Sequence, residues 1–128
     1  MTLAKRKPAT RDQQAYQDAA RELGCVVCRL RKCELAGYPE IHHRNLDDKH
    51  GQRQLGQDAV VAMCSWHHRG IPLWGWGDDE MRDAFGPSFA SHARDFRAWT
   101  EDALPHLTGR GTERWQKYQD ELLGDSWK

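Results

Sequence analysis

Two histidine doublets carry most of the chemistry this chain could do: His42-His43 within EIHHRN and His67-His68 within CSWHHRG. Four of the seven histidines fall in these pairs, and an arginine, Arg44 or Arg69, follows each pair. Cysteines stand nearby. Cys25 and Cys28 form a C-x-x-C knuckle, and Cys64 and His67 form a C-x-x-H knuckle. Together these four are the soft, tetrahedral ligand set that a structural Zn2+ prefers. The gap between the knuckles is longer than in an ordinary zinc finger because it must hold a strand-loop-strand unit. A lone C-x-x-C can be a redox pair, but no βαβ pattern surrounds this one, so structural zinc is the expected reading. Cys33 is left over, either as a passive thiol or as a replacement for one of the four.

Adjacent residues on a helix point about 100° apart. If His67 closes the zinc site, His68 must therefore face elsewhere. Neighbours on a strand also diverge, yet near a strand end both can reach one cleft in different roles. One histidine can hold a metal while the next stays free as a base near neutral pH.

The elements that position these residues follow from pattern. Thr10 can cap a helix and Gln13 can complete a capping box. Tyr16, Ala19, Ala20 and Leu23 form its apolar stripe, and Gly24 stops it just before the first knuckle. Residues 29–39 read as a polar connector, Ile41-His42-His43 as a short strand, and residues 45–57 as an irregular loop. Ala59 to Met63 is apolar throughout, as a buried strand is. Ser65 can cap a short helix carrying Trp66, His67 and His68. Beyond Gly77 the pattern is helical: residues 79–85, then 88 to about 103 with Phe89, Phe96 and Trp99 inward. A last helix runs from a Thr112 cap through Trp115, Tyr118 and Leu122 to Gly124.

The chain as a whole has 128 residues, 38% hydrophobic and 30% charged, with a mean hydropathy of -0.90. That composition predicts one globular domain with a modest core, the kind a bound metal can staple. No apolar run is long enough to span a membrane and no signal-peptide core follows Met1, so a cytoplasmic, reducing setting is expected. Net charge is zero, which gives no global argument for nucleic acid. Residues 1–33, however, carry eight basic side chains against three acidic ones, which fits either a solvated N-terminus or a phosphate-attracting arm. The six tryptophans favour core filling over base-stacking platforms.

The order C-x-x-C, EIHH, strand, C-x-x-HH resembles the HNH (ββα-metal) nucleases. More narrowly, GCVVC, IHH, the G-x-R-x-x-G loop, VVAMCSWHHRG and the later FGPSF look like the Ref family of phage and prophage recombination-enhancement nucleases, over roughly residues 20–98. The resemblance implies an α+β fold: a zinc-stabilised ββα-metal core over residues 10–76, preceded by a flexible basic lead-in (1–9) and wrapped by C-terminal helices (77–128). It implies that His42 and His68 are ligands of a catalytic Mg2+ or Mn2+ (with Zn2+ able to substitute), and that His43 is the general base that activates water. Arg44, Arg53 and Arg69 would pair with neighbouring phosphates of a DNA substrate. A recombinase-DNA filament is the partner suggested by the family.

Two departures stand out. The asparagine that orients the base in HNH nucleases is missing, and Asp58 is expected to orient His43 instead. One further histidine, usual just past HHRG, is replaced by IPLWGWGDD, so Asp78, Asp79, His92 or water is expected to complete the metal site. The alternative function is a zinc-stabilised nucleic-acid-binding module without catalysis. A zinc nucleobase deaminase needs H-x-E followed by P-C-x-x-C, and neither occurs.

Overall fold

A computed structural model describes residues 7–33, 35, 39–44, 55–109, 111–125 and 127–128. Along the chain these form helices α1 (Arg11–Leu23) and α2 (Val26–Arg31), strands β1 (Glu40–His43) and β2 (Val60–Met63), and helices α3 (Ser65–Arg69), α4 (Asp78–Phe85), α5 (Ala93–Asp102) and α6 (Gly111–Leu123). The fold is thus α+β, a two-stranded sheet among helices. No helix among the described residues is long and apolar enough to cross a membrane.

Thr10 caps α1 with the expected capping box, its hydroxyl accepting from the Gln13 amide while the Gln13 side chain accepts from Thr10 N–H. The C-x-x-C knuckle continues directly into α2, whose N-cap is Cys25 itself: the sulfur accepts the Cys28 amide. Cys64 plays the same part for α3, so that helix is capped by the cysteine and not by Ser65, which is its first residue.

β1 and β2 are antiparallel, with Glu40 opposite Met63, Ile41 opposite Ala62, His42 opposite Val61 and His43 opposite Val60. All four residues of β2 are buried, while β1 is half-buried throughout. A two-stranded sheet leaves polar backbone at its edges that must find partners. Gln119 of α6 supplies them for β2: its amide oxygen accepts from Ala62 N at 2.9 Å and its nitrogen donates to Val60 O at 3.0 Å. The main core gathers Val26, Val27, Val61, Met63, Trp66, Met81, Phe96, Leu104 and Trp115. Phe96 and Trp115 meet edge to face at 5.0 Å, and the buried Trp115 indole donates to Thr100 at 2.8 Å.

Three expectations shift. The fifth helix begins at Ala93 and not at residue 88, because Ser88 accepts from Ser91 N and its own N–H meets the His92 ring, holding a turn there. α6 starts at Gly111 with Thr112 already inside it. Leu123 turns inward at its end, 9% exposed, whereas Leu122 is 39% exposed.

Candidate metal centre

Cys25, Cys28, Cys64 and His67 offer ligand atoms that all lie within 4.8 Å of one another, and all four residues are buried. His67 Nδ1 stands 3.7, 3.5 and 3.3 Å from the sulfurs of Cys25, Cys28 and Cys64, and the sulfurs of Cys28 and Cys64 are 4.0 Å apart. Ligands at ordinary zinc bond lengths in a tetrahedron are separated by about 3.5–3.8 Å. The donor set and its spacing therefore fit a structural zinc. The two short helices place it: each knuckle's first cysteine caps a helix, so its sulfur and the residue three positions on face the same point.

The electrostatics favour a cation there. Hydrogen bonding with Cys25 and Cys28 holds the Cys64 thiol far below the usual range, while Cys25 and Cys33 push Cys28 well above it. Burial of His67 opposes its charged form, yet Cys25 and Cys64 outweigh that and raise it to about 10. Crowded sulfurs cannot all ionise unless positive charge sits among them. Cys33 lies beside Cys28, whose hydrogen bond lowers its thiol to about 7 despite burial.

His67 is also held from behind: Nε2 donates to the Phe85 carbonyl at 2.9 Å, which leaves Nδ1 as the ligand nitrogen. The next carbonyl, of Gly86, accepts the Trp66 indole N–H at 3.1 Å. Phe89 N–H donates to His67 O at 2.8 Å, and its ring packs edge-on against His42, 5.4 Å between centroids. The FGPSF element thus braces one histidine from each doublet.

A second histidine pair forms between β1 and α3. His42 Nδ1 lies 3.2 Å from His68 Nε2. The other nitrogen of His68, Nδ1, donates to Glu40 Oε1 at 2.9 Å. Glu40 in turn receives both Nε and an NH2 group of Arg69. Arg69 first, then His68, holds the Glu40 carboxyl below the usual carboxylate range against the cost of partial burial. Glu40 stands two residues before the doublet, on the same face of the strand as His42, and that i, i+2 spacing is the signal the sequence carries for it.

His43, one residue on, points to a different neighbour. Its Nε2 is 3.0 Å from the Gln57 amide oxygen. Gln57 is itself fixed, donating to Lys7 O at 2.6 Å while its backbone carbonyl and side-chain oxygen accept from Gln17 at 2.7 and 3.1 Å. The residue brought to His43 is thus the neighbour of Asp58. Asp58 lines a cavity of about 260 Å³ with Tyr16, Gln116 and Asp120, and its carbonyl accepts the Gln116 amide at 2.6 Å.

Of the phosphate candidates, Arg44 is directed onto α6, donating to Gln116 at 2.6 Å and to Thr112 at 3.3 Å. Arg69 clamps Glu40, and Arg53 lies outside the described residues. His92 takes the Ser88 N–H on one nitrogen, at 3.1 Å, and faces Asp78 with the other, at 3.2 Å. Asp79 is exposed on the first turn of α4.

The model of a family described as "Recombination enhancement, RecA-dependent nuclease" matches residues 9–104, a span that contains every residue of both clusters. The chain belongs to this family. The family is one of recombination-related nucleases, so DNA is the substrate it implies. No curated protein and no solved structure matches the chain.

Proposed function

We propose that this family member is a metal-dependent DNA endonuclease of the HNH type, in which β1, β2 and α3 form the ββα-metal core and the whole chain acts as one domain. The observation that carries the reading is the 3.2 Å approach of His42 Nδ1 to His68 Nε2. Two imidazole nitrogens bound to one Zn2+-like ion at about 2.0–2.1 Å stand roughly 3–3.4 Å apart, so the spacing suits a shared divalent cation, for which we propose Mg2+ or Mn2+ in the reaction. The Glu40–His68 contact has the form of a carboxylate-histidine-metal relay, which fixes the tautomer and aims the free nitrogen. A divalent ion bound there would polarise the scissile phosphate and stabilise the leaving oxygen.

His43 supplies the base. Because Gln57 Oε1 can only accept, the contact puts the proton of neutral His43 on Nε2, and we assign Nδ1 as the nitrogen that takes a proton from water. Gln57 thereby fills the orienting role expected of Asp58, and Asp58 supports it through the turn that both residues share. Arg44 and Arg69 reach phosphate only by exchanging their present partners, so the main electrostatic grip on DNA comes from elsewhere, with the basic N-terminal stretch and Arg53 as the candidates. His92 has both nitrogens engaged, one of them with Asp78, and among the described residues no third His, Cys, Asp or Glu groups with His42 and His68, which leaves water to complete the metal site. That shortage of protein ligands is what favours the second reading, a zinc-stabilised DNA-binding module without catalysis. The family description supports recombinase-dependent action on DNA.

The test is cleavage of plasmid DNA with Mg2+ or Mn2+, with and without the recombinase, by the parent chain and by His43→Ala. Nicking by the parent and none by the variant supports the reading. Equal activity in both removes His43 from the mechanism, and no activity in the parent under any of these conditions favours the binding module.

A further inference from the structure

Residues 71–80 form a surface feature that the proposed catalysis does not use. Nine of the ten are exposed, among them Ile71 (38%), Trp74 (56%) and Trp76 (37%). The two indoles and Phe85 of α4 form one aromatic fan, with centroids 5.1 Å apart for Trp74–Trp76, 5.7 Å for Trp74–Phe85 and 6.0 Å for Trp76–Phe85. The feature is anchored to α3. Gly70, the C-cap of that helix, lies so close to Ser88 and Ser91 that an added Cβ would stand 2.8 Å from the Ser91 hydroxyl.

The backbone under the fan is strained in a specific way. Trp76 N–H donates to Leu73 O at 2.9 Å, closing a turn whose two central residues, Trp74 and Gly75, both have positive φ, +56° and +73°. Turns with this pair of signs favour Asn-Gly, because asparagine tolerates the left-handed region far better than a bulky residue does. A sequence selected only to make the turn would carry asparagine at 74. Instead it holds the most exposed tryptophan of the fan there, and strain of this kind concentrates at functional positions.

Exposed indoles can stack on bases or dock on protein. Charge decides between them. Residues 71–85 carry Asp78, Asp79, Glu80 and Asp83 against the single cation Arg82, and Arg82 is already paired with Asp95. A field of that sign repels a phosphate backbone and attracts lysine and arginine. We infer that the Ile71–Trp76 turn and the acidic face of α4 form a docking surface for a protein partner presenting basic groups beside aliphatic ones. Resting on the recombinase-dependent reading above, the partner is the recombinase filament, and the surface holds it beside α3, the helix that carries His68.

The experiment uses the full chain carrying His43→Ala, so that the probe is not cut, and measures binding to RecA filaments on a single-stranded oligonucleotide and to the oligonucleotide alone. Trp74→Asn removes the ring while giving the turn the residue it favours, and should keep or raise the melting temperature. Combined with Trp76→Ala it should weaken filament binding about 10- to 100-fold, as loss of central tryptophan anchors does. Asp83→Lys should weaken the same binding, and neither change should weaken binding to the bare oligonucleotide. If the filament binds the parent but the tryptophan variant equally well, the surface is wrong and the recombinase reading stands. If the variant loses affinity for bare single strands and Asp83→Lys gains it, the fan is a base-stacking platform and the inference is overturned. If the parent does not bind the filament, the recombinase reading and this inference both fall.

Discussion

His67 reaches its ligand position because Nε2 is tied to the carbonyl of Phe85, 2.9 Å away and eighteen residues further along the chain. The bond makes the Phe85-Gly86 corner part of the candidate zinc site. Gly86 has φ +84°, and an added Cβ would lie 2.6 Å from the Trp99 ring, itself packed against His67. Gly86→Ala must therefore move either the corner or the ring. The expected loss is on the order of 2–4 kcal/mol, from left-handed strain plus overpacking. A thermal melt that matches the parent would show that the corner relaxes freely.

Zinc should be part of the fold itself. Metal binding in a small domain is coupled to folding, and these four ligands come from two knuckles that the rest of the core is built around. Elemental analysis should find tightly held zinc near one equivalent per chain, more if the second site is also filled. Cys28→Ser should be insoluble or unfolded. A well-folded, zinc-free Cys28→Ser protein would remove the structural metal from the account.

Tyr16 should set an alkaline limit on stability. Its hydroxyl donates to Asp120 and accepts from Gln116 and Gln119, joining α1 to α6. Burial, then the Asp120 hydrogen bond, raises its pKa from 10.0 to about 12. The folded value lies above the unfolded one, so the stabilisation is complete below pH 10 and is lost as pH rises towards 12. The amount at stake is roughly 2–3 kcal/mol. Denaturant melts between pH 8 and 12 should show the decline in the parent, and Tyr16→Phe should flatten it. An equal decline in both would assign it to other groups.

The parts of the site legible in the sequence are those encoded locally. A knuckle fixes its two ligands through one helical turn, so spacing alone reveals Cys25, Cys28, Cys64 and His67. The capping box at Thr10 and the stop at Gly24 are local in the same sense. What spacing cannot show is which side chains meet across elements. Glu40 finds His68 only through the placement of β1 against α3, and Gln57 reaches His43 only because the turn at residues 56–59 leads into β2 at that register. The FGPSF element holds His67 and Trp66 through backbone groups, which every residue possesses, so residue type gives no sign of those two contacts. Arg44 and Arg69 look like phosphate ligands by position, and their engagement with α6 and Glu40 is a tertiary fact.

Gln57 and Asp58 can be told apart by rate. If Gln57 orients His43, Gln57→Ala should slow cleavage by about 10- to 100-fold, the usual weight of such a supporting contact. Asp58→Ala should cost less, since its contribution passes through the turn. Gln57→Glu is the informative companion: it keeps an acceptor at the same distance and should retain more activity than alanine. Full activity in Gln57→Ala, with a large loss in Asp58→Ala, would return the orienting role to the carboxylate.

The two histidines of the first doublet should respond differently to metal. His42 shares its nitrogen environment with His68, so His42→Ala should lower metal affinity, and raising Mg2+ or Mn2+ should restore part of the rate. His43 faces Gln57 instead, and its proposed work is to accept a proton from water, which added metal cannot do. His43→Ala should therefore lose about 10²- to 10⁴-fold in rate at every metal concentration while keeping its zinc and its fold. A metal titration of both variants on one DNA substrate reads the difference directly. Rescue of His43→Ala but not of His42→Ala would mean the roles are exchanged. If both variants cleave like the parent, neither histidine belongs to the reaction, and the 3.2 Å pair is a structural contact between strand and helix.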